Sequence, residues 1–280
     1  MWARATGMRW MKIAGCAAAA LAIAATLPAS ELSARDSDGV KIGRASFLRK
    51  LYSAEKLENG AALQYNEVTR RAFQQQALLD ESDPQAQRVR KIMDALVPHS
   101  YKFNERAKTW AWEVNVIRSK MVNAFCMPGG KIAVFTGIVD QLKLSDDEIA
   151  MIMGHEIAHA LREHARERAA KSMLTNVGAA AVSIFVGGNV GELARVGGGL
   201  LSLKFSRDDE SESDLIGMEI AARAGYDPRA AISLWEKMAA AAKGAPPAWL
   251  STHPSNTSRI GWIEKNLPDV MPLYEAAKRG

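Results

Sequence analysis

The most restrictive feature of this chain is a block of apolar residues built around His155-Glu156-Ile157-Ala158-His159. Ser145-Asp146-Asp147-Glu148 is a capping-box pattern, and it predicts the start of one long helix running from Asp146 to about Lys171. Ile149, Met151, Ile152 and Met153 precede the motif, and Ile157, Ala158 and Leu161 lie within or after it. A solvent-facing amphipathic helix would leave the two histidines exposed, whereas these flanks bury them, and buried imidazoles need partners. Residues four apart share a helix face, so both rings can reach a single metal ion. Glu156 is offset from them, toward a water on such an ion rather than toward the ion itself. Any fold open to this chain must bury the helix and bring a further ligand to it.

That ligand is not on the same helix. A third histidine at position 165, with glycine at 162, would complete one known arrangement, but the chain has Arg162 and Ala165 there. His164 lies five residues past His159, about 140° round a continuous helix, and is expected at the surface. Further on, Glu210 and Asp214 are spaced i, i+4 in Phe205-Ser-Arg-Asp-Asp-Glu-Ser-Glu-Ser-Asp214. On a helix, one of these carboxylates can bind the metal while the other hydrogen-bonds a ligating imidazole and fixes its tautomer. Asp208, Asp209 and Glu212 are expected to form a solvated acidic face. Three protein ligands leave zinc a position for water, whose proton Glu156 can accept as general base. His253, ahead of Pro254, and Arg259 are the candidates for steadying the oxyanion. His99 is read as structural. Cys126 has no basic neighbour in sequence and is read as a packing residue.

The rest of the chain sets the context. Among its 280 residues, 48% are hydrophobic, enough for a sizeable core, and the net charge of +5 comes with no basic run. No nucleic-acid partner is therefore expected. Two cysteines exclude a disulfide scaffold. Arg4, Arg9 and Lys12, the uncharged stretch Ile13 to Leu27 and the small residues after Pro28 read as a signal peptide over residues 1–34. Cleavage after Ala29 or Ala34 would deliver the protein to the periplasm. The alternatives are an uncleaved anchor or lipidation at Cys16, although most of the apolar stretch follows that cysteine rather than preceding it.

Helical periodicity marks an N-terminal helical segment within residues 35–94, followed by a metallopeptidase domain over 95–280. The alternating Trp110 to Ile117, then VNAFCM and KIAVFTGIV about Pro128-Gly129-Gly130, read as strands. Uncharged Ser172 to Gly191 reads as a helical hairpin or flap, with peripheral membrane contact as the lesser reading. Helices are expected from Asp208 to Ala224, Pro228 to Ala242 and Asn256 to about Asn266. The expected fold is α+β, mainly helical, with a small sheet beside the His-Glu helix.

Four segments, in order across residues 95–265, carry a family likeness: NAFCMPGGKIAVFTG, GHEIAHALREH, FSRDDESESD and THPSNTSRI. Together they resemble the gluzincin metallopeptidases grouped with HtpX and the CAAX prenyl proteases, and most nearly the periplasmic protease-chaperones of bacteria. Ser213 stands where that family has alanine. The resemblance implies a zincin-like fold with one Zn2+ held by His155, His159 and Glu210, and Asp214 behind an imidazole ligand. It also implies that His253 approaches the site, steadying the oxyanion or blocking the open zinc position, and that the strand Asn123 to Met127 pairs with extended substrate. The implied activity is endopeptidase cleavage of unfolded or misassembled envelope proteins. The alternative is a chaperone-like, client-binding protein whose zinc is structural or self-blocked.

Overall fold

A computed structural model describes residues 39–174, 204–244, 246–254 and 258–279. The expected signal segment with Cys16, and the expected flap from residue 175 onward, lie outside the described residues. Helix α1 (Ala54–Gln74) starts at a Ser53 cap, and α2 (Pro84–Ser100) starts at Asp83 with proline in its first turn, where no N–H is needed. Pro98, expected beyond the end of α2, lies inside its last turn.

Three short strands follow: β1 (Glu113–Ile117), β2 (Ala124–Met127) and β3 (Lys131–Phe135). Their order is β1-β3-β2. β1 runs parallel to β3, with Val114 opposite Ile132, and β2 runs antiparallel to it, with Phe125 opposite Ala133. Gly129 and Gly130, both at positive φ, make the turn between β2 and β3, so β2 is an edge strand. The apolar run after β3 does not continue as strand but folds into α3 (Thr136–Gln141).

Helix α4 (Asp146–Leu161) carries the histidine motif, and the capping box at Ser145 and Glu148 is formed as expected. Every residue from Glu148 to Leu161 is buried. The expected continuation to Lys171 is broken: Arg162 caps α4, Glu163 takes the left-handed φ of 57°, and α5 (His164–Leu174) sets off in a new direction. The C-terminal half is helical, comprising α6 (Arg207–Arg223), α7 (Ala230–Ala241), α8 (Ala248–Thr252) and α9 (Ser258–Arg279). The last helix outruns its expected end near Asn266, continuing through Pro268 and Pro272. Among the described residues no helix is long and apolar enough to cross a membrane.

α4 is the axis of the core, packed by α2, α6, α7 and β2. Ile149, Ile152, Ile157 and Leu161 are each no more than 2% exposed, and burying such side chains contributes roughly 1.5–3 kcal/mol apiece. That gain keeps the helix inside in spite of its four buried polar residues, Glu148, His155, Glu156 and His159. The tightest contact is with α6: a Cβ on Gly154 would meet the Gly217 carbonyl at 2.7 Å, and one on Gly217 would meet the His155 nitrogen at 2.7 Å. No other residue type allows this approach.

Gly217→Ala should therefore force the two helices apart and cost about 1–3 kcal/mol in chemical denaturation. Gly261→Ala, on exposed α9 with open space around it, should instead stabilise by roughly 0.5–1 kcal/mol. Equal effects of the two substitutions would contradict the crossing.

Candidate metal centre

The Gly154–Gly217 crossing sets the N-terminal turns of α6 against the C-terminal turns of α4. It brings His155, His159 and Glu210 together, and α8 adds His253 from below the turn at Pro254. One ligand-type atom from each of these four buried residues lies within 4.8 Å of all the others. His155 Nε2 is 3.1 Å from His159 Nε2, and Glu210 oxygens lie 3.5 and 3.4 Å from those two nitrogens. Ligands about 2.0–2.2 Å from a tetrahedral zinc stand roughly 3.3–3.6 Å apart, so the nitrogen and oxygen donors present fit that ion. His253 Nδ1 completes the figure, 3.3 Å from His155 Nε2 and 3.0 Å from Glu210 Oε1.

Asp214 sits where the i, i+4 spacing expects it, with Oδ1 3.0 Å from His155 Nδ1. Since His155 offers Nε2 to the cluster, its Nδ1–H donates to that carboxylate, which orients the ring. Glu156 stands beside the cluster: Trp249 Nε1–H donates to its Oε1 at 2.6 Å, and His253 Nε2 lies 3.3 Å from the same oxygen. Trp249 was not expected from the sequence. It comes from α8, whose backbone is tied to Val122 beside β2, while Phe205 ahead of α6 is tied to Thr252.

Arg259, considered for the oxyanion, has another position. It is 2% exposed, gives Nε and Nη2 to Asp214 at 2.8 and 2.6 Å and Nη1 to Glu210, and lies over the Trp235 ring at 3.7 Å. Its donors serve the two buried carboxylates and do not face the groove.

Electrostatics follow from this crowding. Burial favours a neutral Glu210, but hydrogen bonds from His159 and His253 and the charge of the neighbouring imidazoles hold its carboxyl far below the usual range. For Asp214 burial is likewise outweighed, here by Arg259 and His155. Burial pushes His159 well below its usual value, leaving a neutral ring with a free lone pair. His253 is desolvated too, yet Glu156 and Glu210 together raise it. A neutral imidazole and ionised carboxylates are the protonation states that metal ligation requires.

His164, expected at the surface, is 3% exposed, and its Nδ1 lies 2.9 Å from His159 Nδ1. The expectation assumed a continuous helix, and the turn at Glu163 swings the ring back under the site. Glu212, expected in solvent, is half-buried against Arg162 and His164. Asp208 is exposed as expected, and Asp209 caps α6 through the Ser206 N–H. His99 stands outside the cluster. Cys126 is half-buried on β2, and burial and nearby Glu156 push its thiol up, which agrees with a packing role rather than a nucleophile.

A groove opens between the β2 strand and a wall formed by Glu156, His159, Phe205 and His253. A buried helix with two imidazoles, a carboxylate from a crossing helix and a small sheet at its side define a zinc metallopeptidase. Residues 83–267 match the model of Peptidase family M48, and the chain belongs to that family. It is 41% identical over 173 residues to a mitochondrial metalloendopeptidase OMA1 of Arabidopsis thaliana, covering 61% of this chain and 35% of that protein. To the protein of the same name in Schizosaccharomyces pombe it is 41% identical over 170 residues, 59% of this chain and 50% of that protein. The metalloprotease LoiP of Escherichia coli is 31% identical over 158 residues, 54% of this chain and 61% of that protein. The chain thus spans about a third to a half of the length of the first two. Their mitochondrial names overturn the expected periplasmic location, which rested on the residues 1–34 pattern alone.

Two substitutions test the electrostatic reading. Arg259→Leu should leave Asp214 and Glu210 buried without their cation, costing about 3–5 kcal/mol at pH 7 in denaturant unfolding of the metal-free protein. Asp214 is held low in the native protein, so its stabilisation is complete above the unfolded value near 3.9 and is lost as pH falls through the native one. In the variant burial raises that group instead, so the penalty should shrink on acidification. Ser213 is fully buried and its Oγ has no partner among the described residues. Ser213→Ala should raise stability by about 1 kcal/mol, read as a higher melting temperature.

Proposed function

We propose that the chain is an endopeptidase that cleaves extended, unfolded protein segments at the centre formed by His155, His159 and Glu210. The observation that carries this is the convergence of those three side chains beside Glu156 at the foot of an open groove. Among the described residues β2 is paired on one side only, and an extended peptide can add to the other through backbone hydrogen bonds, so segment conformation matters more than sequence. A folded substrate does not present such a strand.

Zinc, when held there, supplies an activated water and polarises the scissile carbonyl. The chain's own residues do the rest. Asp214 and Arg259 hold His155 and Glu210 in place. Glu156, steadied by the Trp249 indole, takes the proton of the attacking water on its carboxylate and hands it to the departing amine. His253, beside Glu156 and Glu210, can hydrogen-bond the developing oxyanion.

The same histidine favours a second reading. Its Nδ1 stands at the fourth corner of the ligand set, which suits a self-blocked centre in a protein that binds unfolded clients without cutting them.

Purified protein should bind one zinc and cut casein. Glu156→Gln should keep the zinc and lose at least 100-fold of the cleavage rate. Cleavage retained in that variant would defeat the mechanism. If wild type and Glu156→Gln both protect unfolded clients from aggregation equally and neither yields fragments, the second reading holds.

A further inference from the structure

We infer that His164 is a positioning residue of the metal centre, the middle member of a relay that joins His159 to the Glu212 carboxylate. The inference rests on the assignment of His159 as a zinc ligand. His159 turns Nε2 into the cluster, 3.4 Å from Glu210 Oε1. A neutral ring that offers Nε2 to a metal carries its proton on Nδ1. That Nδ1 is 2.9 Å from Nδ1 of His164, and two nitrogens at this distance need one donor and one acceptor. His164 therefore accepts on Nδ1 and carries its own proton on Nε2, which points at Glu212 Oε2 at 3.1 Å. Glu212 is in turn gripped by Arg162 through Nε and Nη2, each at 2.7 Å. Every proton in the row is placed, and none is left over.

The two imidazoles at the centre are thus tied by different lengths of the same device. His155 reaches a carboxylate directly, at Asp214, and His159 reaches one through a second imidazole. Such outer contacts fix ring orientation and raise ligand basicity, and losing one costs about 10–100-fold in metal affinity.

The backbone supplies an independent sign. Glu163 adopts a left-handed φ of 57°, unusual without glycine or asparagine and costing about 1–2 kcal/mol. That strained residue ends α4 and returns His164 beneath His159, where a continuous helix would turn it away. Ion pairs from Glu163 to Arg49 and Arg166 hold the bend. Strain kept in place by surrounding contacts is a mark of a constrained site.

The test uses the full chain and zinc competition against a chelator. His164→Phe keeps the ring's bulk but removes both nitrogens, and it should weaken zinc binding 10–100-fold. His164→Asn, whose amide can accept from His159 and donate toward Glu212, should recover much of that loss. His164→Phe binding zinc within twofold of wild type would overturn the inference, as would equal weakening in both variants. Should His164→Phe fail to fold, nitrogen-15 spectra of the zinc-loaded wild type decide. His164 protonated on Nε2 alone supports the relay, and a proton on its Nδ1 overturns it. Wild type that takes up no zinc at all would instead strike the ligand assignment beneath the relay.

Discussion

The whole arrangement depends on two glycines meeting. Gly154 and Gly217 let the backbones of α4 and α6 touch, at a separation that any Cβ would prohibit. His155 follows the first glycine directly, and Asp214 precedes the second by one helical turn, so the contact fixes their mutual distance almost without intermediaries. Side chains as short as a carboxylate and an imidazole can share an ion only when their helices are this close. The core around α4 then serves as a clamp: its apolar residues hold the crossing shut, and the polar residues at the crossing are the ones that work.

Such a crossing creates an electrostatic problem that the rest of the site resolves. Glu156, Glu210 and Asp214 are all buried, each at most 6% exposed, and unpaired buried charges cost several kcal/mol each. Arg259 answers for two of them, lying flat against Trp235 so that its own desolvation is offset by the ring face. The imidazoles and the metal for which they are arranged answer for the remainder. Glu156 is held more lightly, by an indole N–H and a histidine.

Much of this was legible in the residue order. Spacing of four at His155 and His159 and again at Glu210 and Asp214 encodes common helix faces, and the capping box at Ser145 announces where the first of those helices begins. The turn at Gly129-Gly130 announces the edge strand. What could not be read is whatever depends on one left-handed residue or on distant docking. Glu163 carries no breaker signature, so His164 and Glu212 looked like surface residues. Arg259 and Trp249 sit far along the chain, and their partners are set by how α8 and α9 fold back onto α6 and β2. The last helix runs on through Pro268 and Pro272, past the end expected near Asn266.

Trp249 lies in one five-residue helix and His253 caps it, so the contacts to Glu156 and to Glu210 come from a single short segment. The indole N–H that donates to Glu156 and the ring nitrogen 3.0 Å from Glu210 thus sit on one short segment, so displacing that segment displaces both. Trp249 also donates its backbone N–H to the Val122 carbonyl, which ties that segment to the chain leading into β2.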